Sequence, residues 1–152
     1  MDRKTSEQRH FNMAAIHGKN TKPEILVRKY LFARGLRFRI HDKKLPGCPD
    51  IVLPKYRTVI FVNGCFWHGH EGCRFASIPA TNTEFWTTKI DLNKNRDFSN
   101  RSKLESMGWN VLTVWTCEIR NKLNRTNCLG ELYNSIMIHI PTVHVSNKAF
   151  KT

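Results

Sequence analysis

The chain has 152 residues, with 25 Lys and Arg against 12 Asp and Glu, for a formal net charge of +13. This length suits one domain with a real core, and a charge of this size points to a polyanionic partner. No apolar run approaches the roughly 20 residues of a membrane span, and the first residues carry no apolar secretory segment, so a soluble, cytoplasmic protein is expected.

In chain order, residues 1–10 are polar and expected to be loosely ordered. A short helical piece is expected at Asn12–His17, with Met13 and Ile16 on one side. Thr21-Lys22-Pro23-Glu24 starts a helix, with a hydroxyl cap, an early Pro and an acid in the first turn, and Gly35 ends it. Phe38–His41, Pro49–Leu53 and Arg57–Val62 read as three strands of an antiparallel meander, separated by turns at Pro46-Gly47 and Pro54-Lys55-Tyr56. Thr81 and Glu84 have capping-box spacing and predict a long helix from there to about Met107, stopped by Gly108. A fourth strand follows at Asn110–Trp115, and a final helix at about Cys128–Ile138. The predicted fold is α/β, a single domain over residues 11–140 with a central mixed β-sheet flanked by helices, and a tail at 141–152.

The segment Val62–Cys73 holds two thiols, two imidazoles and an adjacent Phe-Trp pair. Cys65, His70 and Cys73 in this loop, with Cys117 just beyond the fourth strand, have the spacing of a closed structural zinc site, and thiolate with imidazole suits Zn²⁺. Small core thiols and a surface His are the competing explanation. Cys48 and Cys128 have no partner pattern. Asp50 opens an apolar strand after Pro49, where a carboxylate does no packing, and His68 lies on the exit loop of the next strand. An acid so placed can hold Mg²⁺, which activates water and neutralises a scissile phosphate. Glu24 and Asp97 also suit ordinary roles, at a helix N-terminus and on a solvated helix face. Phe66, Trp67 and Trp86 suit either a core or a wedge between stacked bases.

These residues together resemble the very short patch repair (Vsr) endonucleases, bacterial enzymes that nick DNA at T:G mismatches. The resemblance runs from about Asn12-Met13 to Ile119. It rests on Thr21–Glu24, Pro46–Asp50, Gly64–His68, Pro79–Trp86 and Trp115–Cys117. It implies a PD-(D/E)xK-like, restriction-endonuclease-type fold that lacks the usual Glu-x-Lys.

Carried over by position, Asp50 would bind catalytic Mg²⁺ through its carboxylate and Val62 through its backbone carbonyl. His68 would be the general base, Asp97 would orient it or its water, and Glu24 would help order metal-bound water. Phe66, Trp67 and Trp86 would form the aromatic wedge, Met13 and Ile16 would enter from the other groove, and Lys89 and Asn93 would contact the mismatched pair. Cys65, His70, Cys73 and Cys117 would bind structural Zn²⁺.

Two departures stand out. Asn63 occupies the position of a family His thought to assist the leaving group, and an amide cannot donate a proton as an acid. The zinc loop also has one extra residue between His70 and Cys73, which Gly72 can absorb.

The resemblance further implies a monomer in the bacterial cytoplasm, associated with the nucleoid. Its substrate would be double-stranded DNA carrying T:G mismatches left by deamination of 5-methylcytosine. It would accompany a cytosine-5 DNA methyltransferase and contact general mismatch-repair proteins. Two alternatives remain beside it: a related restriction-type endonuclease acting on undamaged sites, and a zinc-stabilised DNA-binding module that has lost catalysis.

Overall fold

A computed structural model of the chain describes Lys19–His139. The expectations for residues 1–10, Asn12–His17 with Met13 and Ile16, and the tail at 141–152 lie outside these residues.

Helix α1 (Lys22–Ala33) starts as its sequence predicts: Thr21 is extended and its Oγ1 accepts the Glu24 amide at 3.4 Å. Gly35, at φ +83°, takes the left-handed turn that ends it. The chain then forms strands β1 (Arg39–Ile40), β2 (Ile51–Leu53) and β3 (Thr58–Asn63). All three pair antiparallel, as the predicted meander requires. Strand β1 is shorter than expected because His41 adopts a left-handed backbone, φ +47°, and leaves the ladder.

Helix α2 (Thr83–Ser106) carries the chain across the sheet so that β4 (Asn110–Trp115) pairs parallel to β3, giving the order β1-β2-β3-β4. The predicted capping box at its start is absent. Asn82, left-handed at φ +55°, is the flanking residue and makes no side-chain cap. The Thr83 hydroxyl instead donates to the Pro79 and Ala80 carbonyls, which closes the preceding turn and delays the helix by two residues.

Helix α3 (Lys122–Ile138) begins a turn and a half earlier than expected, since Asn121 Oδ1 caps the Asn124 amide at 2.8 Å. The polar run Lys122–Asn127 conceals this first stretch from a periodicity argument.

Alternation along the strands sorts two cores. Ile51, Leu53, Ile60 and Val114 face α1 and α3, where they meet Val27, Leu31, Leu129 and Ile136. Val52, Val59 and Val111 face the other way and pack on Leu104 of α2. The sheet is therefore covered on both faces, the usual condition for a parallel pair.

Leu104 is the single fully buried leucine that fastens α2 to this second core. Leu104→Ala is expected to lower unfolding free energy by about 3 kcal/mol, read as a fall in the urea midpoint at unchanged slope.

Candidate active site and metal centre

The parallel register of β3 and β4 sets up the first cluster. Asn63 pairs with Trp115, so Cys65 and Cys117, each two residues further on, leave the same edge of the sheet side by side. The loop after Cys65 doubles back, with the His70 amide donating to the Cys65 carbonyl at 2.9 Å, and positive φ values at Gly69 and Gly72 give the tight curvature. The result brings one donor atom each from Cys65, His70, Cys73 and Cys117 to within 4.8 Å of one another.

Cys117 Sγ lies 3.4 Å from His70 Nδ1, and the Thr116 hydroxyl lies 3.5 Å from Cys65 Sγ. Trp115 stacks flat on the His70 ring, 4.1 Å between centroids, and fixes its plane. Burial opposes ionisation of these thiols. Hydrogen bonds from Thr116, the Cys117 backbone and His70 nevertheless bring Cys65 down to about 7. Cys117, buried beside two other thiols, is pushed up to about 12. Three thiols this close cannot all ionise without a cation among them, and the donor set of three sulfurs and one imidazole fits a tetrahedral metal ion.

The same loop presents His68. Its Nδ1 lies 2.6 Å from Asp97 Oδ2 on α2. A carboxylate only accepts, so Nδ1 carries the proton and Nε2 is left with its lone pair, the arrangement of an oriented general base. Asp97 is thus not merely a solvated helix charge.

Across the cleft, the sheet assembles an acid cluster. Because Ile40 pairs with Ile51 and Ile51 with Ile60, Asp50 lies between His41 on one neighbouring strand and the end of β3 on the other. The Val62 amide donates to Asp50 Oδ2 at 2.7 Å. Glu24, 3% exposed, reaches in from the first turn of α1, and its Oε2 accepts from Arg28 Nη2 and the Asn20 amide. Desolvation by burial, assisted by the negative Glu24, raises the Asp50 carboxyl to about 6, against the pull of the Val62 amide. Two adjacent carboxylates, Glu24 buried and Asp50 half-buried, are the kind of donor set that suits a hard divalent cation.

Glu24, Asp50, Val62, Asn63, His68 and Asp97 all line one cleft of about 1070 Å³. Phe66, Trp67 and Trp86 form a half-buried edge-to-face trio, centroids 5.1 to 5.9 Å apart, where the loop meets α2. Lys89 Nζ sits 5.6 Å from the Trp67 ring centre and 5.9 Å from that of Trp86. Asn93 donates to the Trp67 carbonyl at 2.9 Å and accepts from Arg96, so here its amide holds the loop. Gly69 packs so tightly on Ile90 and Lys94 that a Cβ there would lie 2.7 Å from a methyl carbon of Ile90.

A family model described as DNA mismatch endonuclease Vsr matches residues 1–74. The type II nicking enzyme V.NmeAIP of Neisseria meningitidis is 52% identical over 132 residues, covering 87% of this chain and 94% of its own. V.XorIIP of Xanthomonas oryzae, also a type II nicking enzyme, is 48% identical over 118 residues, 78% of this chain and 86% of its own. The DNA mismatch endonuclease Vsr of Escherichia coli is 46% identical over 116 residues, 76% of this chain and 74% of its own.

The chain belongs to the Vsr family of DNA mismatch endonucleases. It is a DNA nicking endonuclease, and the α/β sheet, the Cys/His cluster and the acid cluster are the parts of this Vsr-family enzyme described above. Among the described residues no helix is long and apolar enough to cross a membrane.

Of the residues singled out in the sequence, the structure brings together both clusters, the His68–Asp97 pair and the aromatic trio. Sequence reasoning missed three residues. Trp115, read as the end of the fourth strand and part of a family motif, is half-buried and braces His70. Arg28, one turn after Glu24, makes its ion pair. His41 joins Glu24 and Asp50; the strand pairing that opposes it to Asp50 was its available signal.

The raised Asp50 pKa carries a stability cost with a definite sign. Protonated Asp50 is accommodated at low pH, and stability is lost as pH climbs from about 4 through about 6. A rise from 3.8 to about 6 corresponds to roughly 3 kcal/mol forgone at neutral pH. Asp50→Asn is therefore expected to be more stable than wild type at pH 8 without added Mg²⁺, by up to roughly 3 kcal/mol, with the difference vanishing near pH 4. Paired urea unfolding curves at the two pH values measure it.

Proposed function

We propose that this enzyme is a Mg²⁺-dependent endonuclease that nicks one strand at T:G mismatches arising from deamination of 5-methylcytosine. The bond hydrolysed is the phosphodiester 5′ of the mismatched T, leaving a 5′-phosphate and a 3′-hydroxyl. One observation carries the reading: the oriented His68–Asp97 pair and the adjacent Asp50–Glu24 carboxylates line the same cleft, beside a trio of large aromatics.

The domain over residues 11–140 has a PD-(D/E)xK-like core in this reading. The Asp50 carboxylate and the Val62 carbonyl would hold Mg²⁺, with Glu24 ordering its water, and the ion would supply charge to neutralise the scissile phosphate and lower the pKa of water. His68 Nε2 takes the proton from the attacking water, and Asp97 keeps the ring in the donating tautomer at Nδ1 and stabilises the charge it gains. Attack at phosphorus breaks the bond to the 3′-oxygen. Asn63 cannot protonate that oxygen as an acid, so a solvent molecule ordered near it does so. Cys65, His70, Cys73 and Cys117 would hold Zn²⁺ in a structural role, their four donors leaving the chemistry to the other cluster.

Specificity in this reading comes from the aromatics. Inserting Phe66, Trp67 and Trp86 unstacks a base step at a cost of a few kcal/mol, which is lower beside a T:G wobble than beside a matched pair. Met13 and Ile16 enter from the opposite groove. Lys89, over the rings of Trp67 and Trp86, and Asn93, bonded to the Trp67 carbonyl, would contact the mismatched pair from beside the wedge with the donor hydrogens these contacts leave over. The positive surface supplies sequence-independent attraction for duplex. The protein acts as a monomer in the bacterial cytoplasm, with a cytosine-5 methyltransferase as the source of its lesions and general mismatch-repair proteins as its contacts.

The test is Mg²⁺-dependent cleavage of matched and T:G duplexes, with supercoiled plasmid as a third substrate. Nicking confined to the T-containing strand of the mismatch is expected, and His68→Asn should lower its rate by about a hundredfold or more. Cutting of undamaged plasmid would make this a restriction-type enzyme. No cutting at all would make it a DNA-binding module. For the wedge, Trp67→Ala is expected to shrink the ratio of T:G to C:G affinity at fixed salt, whereas loss of a phosphate-contacting Lys weakens both alike. A wild-type ratio in Trp67→Ala would return the trio to the core.

A further inference from the structure

His41 has no role in the reading above, yet it is built into the acid cluster. Its side chain is 11% exposed, and its Nε2 lies 3.0 Å from Glu24 Oε2 and 3.9 Å from Asp50 Oδ1. One donor atom from each of the three residues falls within 4.8 Å of the others. The ring is turned inward by a left-handed backbone, φ +47°, where a non-glycine residue persists only if its surroundings hold it. The amide of His41 donates to the Asp50 carbonyl at 3.3 Å, which ties the turn to the strand that carries Asp50.

The hydrogen bonding at Nε2 is frustrated. Arg28 Nη2 lies 3.2 Å from it and Glu24 Oε2 lies 3.0 Å from it. A guanidinium only donates and a carboxylate only accepts, so one imidazole nitrogen cannot satisfy both. With a neutral imidazole at His41, charge is also unbalanced in the same place, since Glu24 and Asp50 then face only the positive charge of Arg28. A divalent cation resolves both defects: it takes the Nε2 lone pair and adds the missing positive charge.

We propose that His41 Nε2 is an imidazole donor to the divalent cation bound by Asp50, with Glu24 completing the cluster, and that it tilts the site from Mg²⁺ toward Mn²⁺. Hard Mg²⁺ takes oxygen ligands, whereas first-row transition ions also accept imidazole, and Mn²⁺ among them shares the preference of Mg²⁺ for carboxylates. The proposal rests on the reading that Asp50 binds the catalytic metal, and it adds a ligand that the acidic residues alone do not supply.

The experiment is Mn²⁺ binding to the full-length, zinc-loaded protein, followed by electron paramagnetic resonance, with Mg²⁺ measured by competition. Wild type, His41→Gln, His41→Asn and Asp50→Asn are compared, each checked for folding by thermal melting. The wild-type Mn²⁺ spectrum should show coupling to an imidazole nitrogen, and both His41 variants should lose it. Mn²⁺ affinity should fall about tenfold in these variants, and Mg²⁺ affinity should change far less. His41 variants that keep wild-type Mn²⁺ affinity, or a wild-type spectrum without nitrogen coupling, would overturn the proposal; the spectrum decides even if a variant fails to fold. Wild-type Mn²⁺ affinity in Asp50→Asn would instead overturn the metal reading beneath it.

Discussion

The convergence of Cys65, His70, Cys73 and Cys117 is the constraint on which the site depends. The loop from Cys65 to Cys73 contains no helix or strand of its own, yet it presents both His68 and the Phe66–Trp67 pair. A loop of this kind holds catalytic geometry only if its ends are fixed. Three of the four donors come from the loop and the fourth from beyond β4, so one cluster fastens the exits of two parallel strands. Trp115 reinforces the fastening by stacking on His70, and Gly69 lets the loop lie directly on α2. From that position His68 reaches Asp97 and Trp67 reaches Asn93, both on one face of α2.

A second tension runs through the acid cluster. The chain is strongly basic, as a partner for nucleic acid is expected to be, but its cleft places Glu24 beside Asp50, whose carboxyl is raised by burial and by that negative neighbour. Arg28 relieves part of this at Glu24. Asp50 keeps its penalty, a local stability cost of the kind that a metal-binding role, as proposed above, would account for.

Much of this was legible in the sequence because local chemistry and global fold agree. Thr21-Lys22-Pro23-Glu24 starts α1 through its own hydroxyl and proline, and the apolar runs of β2, β3 and β4 are strands in the structure. The errors fall where a non-local or irregular contact decides. Thr81–Glu84 has the spacing of a capping box, but the Thr83 hydroxyl bonds backward to Pro79 and Ala80, a choice that spacing cannot reveal. The start of α3 is set by the Asn121 cap within a polar stretch. At the site, residue types and spacing pointed to the Cys/His cluster and to Asp50 with His68, while only the family resemblance joined Glu24 to Asp50. His41 escaped because its place is set by strand register and a left-handed turn, neither of which is written in residue type.

The central claim is that the Cys/His cluster holds the reacting loop in its working shape. Cys117 tests it most directly, because it lies outside the loop and touches neither the His68–Asp97 pair nor the acid cluster. The measurement is the Mg²⁺-dependent nicking rate of Cys117→Ser on a T:G duplex, alongside its zinc content and its binding to that duplex. Loss of zinc together with a fall in nicking of about a hundredfold, as expected for a loop displaced by an ångström or so, is the predicted result. A zinc-free variant that nicks at the wild-type rate would contradict it.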